Sequence, residues 1–306
     1  MGLIEQAAVR LEQLRKAGIE PPEPAAPRRP SVVARPAPEG PEQSQQRAPQ
    51  PPPRPPAKDT RPVLRIDLAR LGATGFITPE VPQSRVAAEF RMIKRTLLAN
   101  AAPDRSPLLP HGNLIMVTSS VPGEGKTFAA VNLAMSIAME LDHKVLLVDA
   151  DVARPSVPGL LGVAAGAGLL DKLMHPELDV VQLSSPTNVD KLEFMTSGRP
   201  HPRANEMLSS DAMSALVHEL GSRYPERIVV FDSPPLLYTT EAAALARHMG
   251  QVVFVVSAGS TPVGDVKRAL PMIEDCSVRL MLLNKLSPRG RGMHGYGYGY
   301  GYGQDG

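Results

Sequence analysis

The fold is decided by one glycine-rich stretch, Ser119-Ser120-Val121-Pro122-Gly123-Glu124-Gly125-Lys126-Thr127. An apolar run, Leu114 to Thr118, comes directly before it and is predicted to form a strand, whereas Thr127 to Leu141 is predicted to form a helix. A glycine-rich loop between a strand and a helix lets backbone N–H groups converge at the positive end of the helix, where phosphate groups bind. The stretch therefore predicts a phosphate-binding loop.

Within this loop, two side chains have a direct role in binding a nucleotide. Lys126 adds a full positive charge beside the phosphates, and Thr127 supplies a hydroxyl for Mg²⁺. The general pattern has glycine five residues before Gly125, and Ser120 stands there instead. We expect ATP and Mg²⁺ as ligands, with nucleotide contacts from Pro122, Gly123, Glu124, Gly125, Lys126, Thr127 and Phe128.

Acidic residues follow two other predicted strands. The run Lys144 to Val148 leads into Asp149 and Asp151, and the run Arg227 to Phe231 leads into Asp232. Ligands of open α/β sheets bind at the carboxyl ends of the strands. Carboxylates beside Mg·ATP can hold metal-bound water or accept a proton from an attacking hydroxyl, although an isolated Asp-x-Asp pair is usually a solvated loop.

The pattern of apolar runs indicates the fold class. Strands that are apolar throughout and that alternate with helices imply an α/β fold of the P-loop NTPase type, with a mainly parallel sheet covered by helices on both faces. Strands are predicted at 114–118, 144–148, 227–231, 251–256 and 278–284, and helices at 83–100, 127–141, 211–221, 240–248 and 262–274.

The chain divides into four segments by composition. Residues 1–18 have the apolar spacing of a short amphipathic helix, which either needs a partner surface or frays. Residues 19–62 are predicted to be a disordered linker, because 15 of the 33 prolines lie between Pro21 and Pro62. Residues 63–288 form the globular domain, and residues 289–306 form a tail rich in glycine and tyrosine.

Composition excludes several classes of protein. The net charge is +2 with both signs interspersed, so no nucleic-acid surface is expected. The single cysteine, Cys276, cannot form an internal disulfide and fits a reducing compartment. The sequence contains neither a run of about 20 apolar residues nor a secretory signal, and its histidines lack metal-binding spacing. These features predict a cytoplasmic protein without a transmembrane segment.

The motifs Ser-x-x-Pro-Gly-Glu-Gly-Lys-Thr, Leu-Val-Asp-Ala-Asp and Phe-Asp-Ser-Pro-Pro, followed by a tyrosine-rich end, resemble the bacterial tyrosine kinases of capsular and exopolysaccharide export. The N-terminal Leu-Ile-Glu helix, the linker and the Phe-Ile-Thr-Pro sequence look most like the branch associated with exosortase and PEP-CTERM loci. The resemblance implies ATP-dependent autophosphorylation in trans within a ring-like homo-oligomer, regulating exopolysaccharide export. It also implies a membrane chain-length-determinant or activator protein as partner, a location peripheral to the inner membrane, and a tyrosine phosphatase.

The resemblance also assigns roles to residues. Lys126, Asp149 and Asp151 are implied to be catalytic, with Asp149 slightly favoured over Asp151 as the base. Thr127, Asp151 and Asp232 are implied to hold the metal, and Asn284 is implied to lie beside the adenine.

Two motifs depart from the family pattern. The family places arginine two residues after the second aspartate, but Ala153 stands there and Arg154 follows it. The helix through which the family oligomerises carries Glu-x-x-Arg-x-x-Arg. In the corresponding stretch of this sequence, residues 88–94, only Arg91 matches a residue of that motif. Arg91 is therefore the predicted oligomer contact, and the stoichiometry of the ring is left open.

The tail favours kinase chemistry. Its tyrosines alternate with glycine, which leaves each phenol free to enter a shallow cleft, although Gly-Tyr repeats can also self-associate. A positioning ATPase of the ParA or MinD type is an alternative, but the second lysine of its loop is missing here. A nucleotide-gated adaptor without catalysis is another. The predicted phosphoacceptors are Tyr296, Tyr298, Tyr300 and Tyr302.

Overall fold

The computed structural model describes residues 61–102, 109–223 and 226–286. The predicted N-terminal helix at 1–18, the linker up to residue 60, and the tail at 289–306 lie outside these described residues.

A mixed sheet forms the centre of the described chain, with seven strands in the order β3-β4-β2-β5-β1-β6-β7. Every neighbouring pair is parallel except β3 with β4, which confirms the predicted sheet type. The strands are β1 Leu114–Ser119, β2 Lys144–Asp149, β3 Ser185–Pro186, β4 Leu192–Met195, β5 Arg227–Asp232, β6 Gln251–Ser257 and β7 Val278–Asn284.

Each central strand is buried on both faces because its side chains alternate between two hydrophobic cores. In β1, Leu114 and Met116 belong to one core, and Ile115 and Val117 belong to the other. Both cores are closed by helices, so the predicted two-sided covering is confirmed.

The helices divide between the two faces. One face carries α1 Leu68–Ala73, α2 Arg85–Ala101, α3 Lys126–Ala138 and α4 Val157–Leu161. The other face carries α5 Leu169–Met174, α6 Val180–Leu183, α7 Ala204–Leu208, α8 Asp211–Arg223, α9 Thr240–Ala246 and α10 Val263–Ala269, followed by a 3₁₀ turn at Leu270–Ile273.

Two strands, β3 and β4, were not predicted from the sequence. In β4, Glu193 interrupts the apolar run, and its carboxylate lies 3.0 Å from Arg61 and 3.3 Å from Arg227. Although burial opposes ionisation, the Arg61 hydrogen bonds and the Arg227 charge hold the pKa of Glu193 below its usual value. Arg61 was predicted to lie in the linker. In the structure it instead connects the start of the globular domain to β4 through Glu193.

Candidate functional site

The glycine-rich loop joins β1 to α3 at the carboxyl edge of the sheet. Gly123 and Gly125 have φ angles of 85° and 99°, in the left-handed region that favours glycine. A Cβ on Gly125 would lie 2.0 Å from Nδ2 of Asn284. Because α3 begins at Lys126 without a side-chain cap, its first backbone N–H groups remain available for an anion.

Lys126 contacts Asp151 directly. Its Nζ lies 3.0 Å from Oδ2 of Asp151, and the two side chains are only 13% and 6% exposed. The structure therefore brings together two of the three predicted catalytic residues. A lysine held by a carboxylate at a helix start is positioned to receive phosphate oxygens as additional partners.

Asp149 ends β2 and is fully buried. Its carboxylate accepts the backbone N–H groups of Asp151 at 3.3 Å and of Val157 at 3.1 Å. Burial raises the pKa of Asp149 to about 7, and the neighbouring charge of Asp232 adds to this rise. Asp149 thus orients the chain that leads to Asp151 and also has the pKa of a group that can exchange a proton near neutral pH.

Asp232 ends β5 directly opposite Asp149 in the strand register. It is fully buried, and neither oxygen of its carboxylate makes a hydrogen bond of good geometry among the described residues, although the hydroxyl of Thr127 lies close enough to favour its charged form. Burial raises the pKa of Asp232 to about 6, although the positive charge of Lys126 opposes the rise. A buried carboxylate without good hydrogen bonds is costly for a folded chain and fits a role in holding a cation.

The residues present fit Mg²⁺ bound together with a nucleotide. No group of three or more His, Cys, Asp or Glu residues that could hold a metal by itself occurs in the described parts of the chain. Magnesium, however, is usually held by one or two carboxylates, waters and substrate phosphates. The buried oxygens of Asp232 and the hydroxyl of Thr127, which lies 3.2 Å from Oγ of Ser156, suit that arrangement.

A cavity of about 390 Å³ opens beside these residues. Tyr238, which is 68% exposed, and Arg154 line it, although sequence reasoning gave neither a role at the site. Both follow a predicted aspartate motif by a few residues. Their closeness to these motifs in the sequence could have indicated that they lie at the site. The other lining residues are Pro122, Gly123, Lys126, Asp151, Ala153, Ser156, Pro234, Pro235 and Thr239.

Three predicted nucleotide residues use their side chains in contacts within the protein. The ring of Phe128 packs on Phe76, with 4.9 Å between the ring centroids, so only its backbone faces the loop. The carboxylate of Glu124 turns inward and is 2% exposed. Asn284 donates to the backbone carbonyl of Glu124 at 2.9 Å and so supports the loop from behind.

The predicted oligomer contact lies on α2, away from these residues. Arg91 is exposed, and its guanidinium donates to the carbonyl of Pro82 at 2.9 Å. Lys94, at the next position of the family motif, is only 5% exposed; it donates to the carbonyl of Ser136 and pairs with Glu140. Lys94 therefore fixes α2 on α3 rather than facing a second molecule.

Within the described segments, no helix combines the length and the apolar character that crossing a lipid bilayer requires.

Comparison with known proteins assigns the chain to a family. The family described as ParA, NUBPL iron-transfer P-loop NTPase, matches residues 111–284, more than half of the 306-residue chain. Tyrosine-protein kinase YwqD of Bacillus subtilis (strain 168) is 33% identical over 200 residues, which cover 65% of this chain and 80% of YwqD. The chain belongs to the ParA-like P-loop NTPases and, among them, to the bacterial tyrosine-protein kinases.

Two further relatives agree with this assignment. Tyrosine-protein kinase wzc of Salmonella typhimurium is 29% identical over 182 residues, which cover 59% of this chain and 25% of wzc. The chain thus spans about a quarter of that relative. The crystal structure of the chimerical protein CapA2B2 has a TM-score of 0.56 and 25% identity, covering 72% of this chain and 94% of the chimera. The family resemblance read from the sequence is confirmed, whereas the exosortase and PEP-CTERM branch stays a prediction.

Proposed function

We propose that this protein is an ATP-dependent protein-tyrosine kinase that phosphorylates its own C-terminal tyrosine cluster and so regulates exopolysaccharide synthesis and export. The observation that carries the proposal is the arrangement around the glycine-rich loop. Lys126 is paired with Asp151, and the buried carboxylates of Asp149 and Asp232 lie on neighbouring strands. Family membership supports the same activity.

In the proposed reaction, the phenol oxygen of a tail tyrosine attacks the γ-phosphorus of ATP. The bond from that phosphorus to the β,γ-bridging oxygen breaks, and ADP leaves. The backbone N–H groups at the start of α3 and the Nζ of Lys126 bind the phosphate oxygens and stabilise their charge. Thr127, Asp151 and Asp232 would hold Mg²⁺, which would supply further neutralisation of the charge on the phosphates.

The phenol proton needs an acceptor near the attacking oxygen. We assign that role to Asp149, with Asp151 as the alternative. The pKa of Asp149, at about 7, leaves a substantial ionised fraction at neutral pH and still makes this carboxylate a better proton acceptor than an ordinary aspartate. Asp151 lines the cavity, and its carboxylate is engaged by Lys126 at 3.0 Å.

The acceptors in this proposal are Tyr296, Tyr298, Tyr300 and Tyr302, which lie outside the described residues. The exposed ring of Tyr238 at the rim of the cavity is a suitable surface for an incoming phenol. Arg154, at the same rim, adds a positive charge that suits a phosphorylated product.

We further propose a homo-oligomer and a membrane protein of the export system as partners, a location peripheral to the inner membrane, and a tyrosine phosphatase that reverses the modification. An exposed apolar surface supports the homo-oligomer and the membrane-protein partner. Met92 on α2 is 74% exposed, and Met281 and Leu283 on β7 are 60% and 54% exposed. These residues line a groove of about 760 Å³ between α2 and β7, and exposed apolar surface of this kind is typical of protein interfaces.

Incubation of the purified full-length chain with Mg·ATP tests the proposal. A kinase accumulates tyrosine phosphate, a positioning ATPase releases free phosphate without labelling itself, and a nucleotide-gated adaptor does neither. Replacing the four tail tyrosines by Phe should abolish labelling, and Tyr224→Phe serves as the control tyrosine outside the tail. Labelling that persists in the tail variant contradicts the assignment of the acceptors.

A further inference from the structure

We propose that Thr261 is a positioning residue for the nucleotide, acting on the glycine-rich loop through the buried carboxylate of Glu124. Thr261 lies after β6, far along the chain from the loop, and no sequence motif includes it. The proposal concerns nucleotide binding. Only the predicted changes in KM and kcat rest on the kinase function proposed above.

The contact between Thr261 and the loop is direct. One carboxylate oxygen of Glu124 accepts the hydroxyl of Thr261, and the other accepts the backbone N–H of Val121 at 2.7 Å. The hydroxyl oxygen of Thr261 in turn accepts the backbone N–H of Ser257, at the end of β6, at 3.0 Å. An unbroken chain of hydrogen bonds therefore runs from the end of β6 to the first half of the loop.

A second set of bonds holds the same part of the loop from β7. Asn284 donates to the carbonyl of Glu124 at 2.9 Å, and Nζ of Lys285 donates to the carbonyl of Gly123. The backbone N–H of Ala258 donates to the carbonyl of Asn284 at 2.8 Å, which ties the ends of β6 and β7 together. The loop is thus anchored by the carbonyl groups of Gly123 and Glu124, by the N–H of Val121 and by the side chain of Glu124.

The side chain of Glu124 needs this arrangement for an electrostatic reason. A carboxylate next to a phosphate site would repel the nucleotide if it faced the ligand. Burial at 2% exposure with two hydrogen-bond donors keeps the charge turned away and satisfied. Without the hydroxyl of Thr261, one oxygen of Glu124 loses its hydrogen-bond donor. Because a buried carboxylate oxygen without a donor is unfavourable, the side chain is then expected to turn toward solvent at the nucleotide site.

This arrangement predicts an effect on nucleotide binding rather than on the chemical step. A loop that is already ordered binds its ligand without an additional ordering cost. Losing the bond from Thr261 should therefore raise the Kd for ADP and the KM for ATP, and it should change kcat much less.

The test compares Thr261→Val, which removes the hydroxyl at nearly constant volume, with Thr261→Ser, which keeps it. Titration calorimetry with Mg·ADP should give a Kd about 5- to 30-fold higher for T261V and within about 2-fold of wild type for T261S. The KM for ATP should follow the Kd, and kcat should stay within about 3-fold. Equal Kd values for T261V and wild type would overturn the proposal.

A double-mutant cycle separates positioning through Glu124 from a general loss of packing. In a Glu124→Ala background, T261V should cause no further loss of affinity, because its route to the loop is gone. Fully additive losses would overturn the proposal. Thr261→Ala, which also removes the hydroxyl, should raise the Kd by a similar factor of about 5 to 30, and an unchanged Kd for T261A would overturn the proposal even if T261V folds poorly.

The outcomes also distinguish this inference from the proposed function. A wild-type chain that binds Mg·ADP but forms no tyrosine phosphate contradicts the kinase proposal and leaves the calorimetric comparison intact. A chain that labels itself normally and shows no difference between T261V and T261S contradicts the role of Thr261 alone.

Discussion

At the scale of single residues, the site concentrates negative charge where water cannot solvate it. Asp149 and Asp232 are both fully buried and stand opposite each other in the register of β2 and β5. Folding therefore proceeds against the cost of two desolvated carboxylates, a cost that a bound cation would offset. Sites of this kind favour activity over the stability of the ligand-free chain.

Asp232→Asn should stabilise the protein in the absence of nucleotide and metal. The substitution removes a fully buried charge whose desolvation raises its pKa, so we expect the free energy of unfolding to rise by about 1–3 kcal/mol. Autophosphorylation should fall at least about 100-fold because the proposed metal contact is lost. Urea unfolding with EDTA checks the first effect, and the exposed Asp190→Asn is the control. A less stable D232N chain would contradict this account.

The raised pKa values of Asp149 and Asp232, about 7 and 6, make stability depend on pH. Because an unfolded aspartate titrates near about 4, the folded chain binds more protons than the unfolded chain between about pH 4 and 7. Their contribution to the free energy of unfolding therefore falls as pH rises through that window.

A double variant isolates this effect from the other titrating groups. In EDTA, the stability of Asp149→Asn with Asp232→Asn, measured relative to wild type by urea unfolding, should increase from pH 5 to pH 8. A difference that stays constant over this range would show that the two carboxylates titrate as ordinary aspartates.

The motif residues could be placed from the sequence because each follows an apolar strand, and the carboxyl ends of parallel strands meet at one edge. The directions in which their side chains point could not be predicted in this way. Glu124 and Phe128 lie within the motif, yet one turns into a hydrogen-bond network and the other packs on Phe76. Thr261 lies more than a hundred residues from the loop in the chain, so only the folded structure brings it there.

At the scale of elements, the two edges of the sheet differ. The edge strand β3 has only two residues, and the segment at Leu64 covers it by bridging to Thr187 and donating to the carbonyl of Pro186 at 2.8 Å. The opposite edge strand, β7, has seven residues and exposes Met281 and Leu283. A long edge strand that exposes apolar side chains among the described residues is a place where another chain can add.

Introducing charge into the groove between α2 and β7 should therefore weaken the proposed homo-oligomer. Met92→Glu combined with Met281→Glu should convert the assembly to monomer in sedimentation velocity, because two carboxylates would be desolvated in the contact. Leu141→Glu, at an 87% exposed position outside the residues that line the groove, is the control. An oligomer that persists in the double variant but dissociates in Arg91→Ala would place the contact at Arg91 instead.

The elements were predictable where their apolar pattern was continuous. The runs that became β1, β2, β5, β6 and β7 are apolar at most of their buried positions, with Arg227 at the start of β5 as the charged exception, and the structure extends most of them by one residue. Strand β4 escaped prediction because Glu193 breaks its pattern. Its charge is tolerated only because Arg61 and Arg227, which come from distant parts of the chain, pair with it.

At the scale of the whole molecule, phosphorylation of the tail should act through charge. Each phosphate adds about −1.5 to −2 charges at neutral pH, so four modified tyrosines would turn a tail with two arginines and one aspartate into a strongly negative one that repels its copies. The phosphorylated protein should therefore sediment as smaller species than protein treated with a tyrosine phosphatase, and added salt should reduce the difference. Identical sedimentation of the two forms would contradict this regulatory step.

We propose that the site formed by Lys126 and the neighbouring carboxylates transfers the γ-phosphate of ATP to the tail tyrosines. The most direct measurement is mass spectrometry of the full-length chain after incubation with Mg·ATP, compared with Lys126→Met. We predict phosphate on Tyr296, Tyr298, Tyr300 and Tyr302 in the wild type and at least about a 100-fold loss in K126M. Wild-type protein that hydrolyses ATP without acquiring tyrosine phosphate, or a K126M chain that labels itself equally well, would contradict the account.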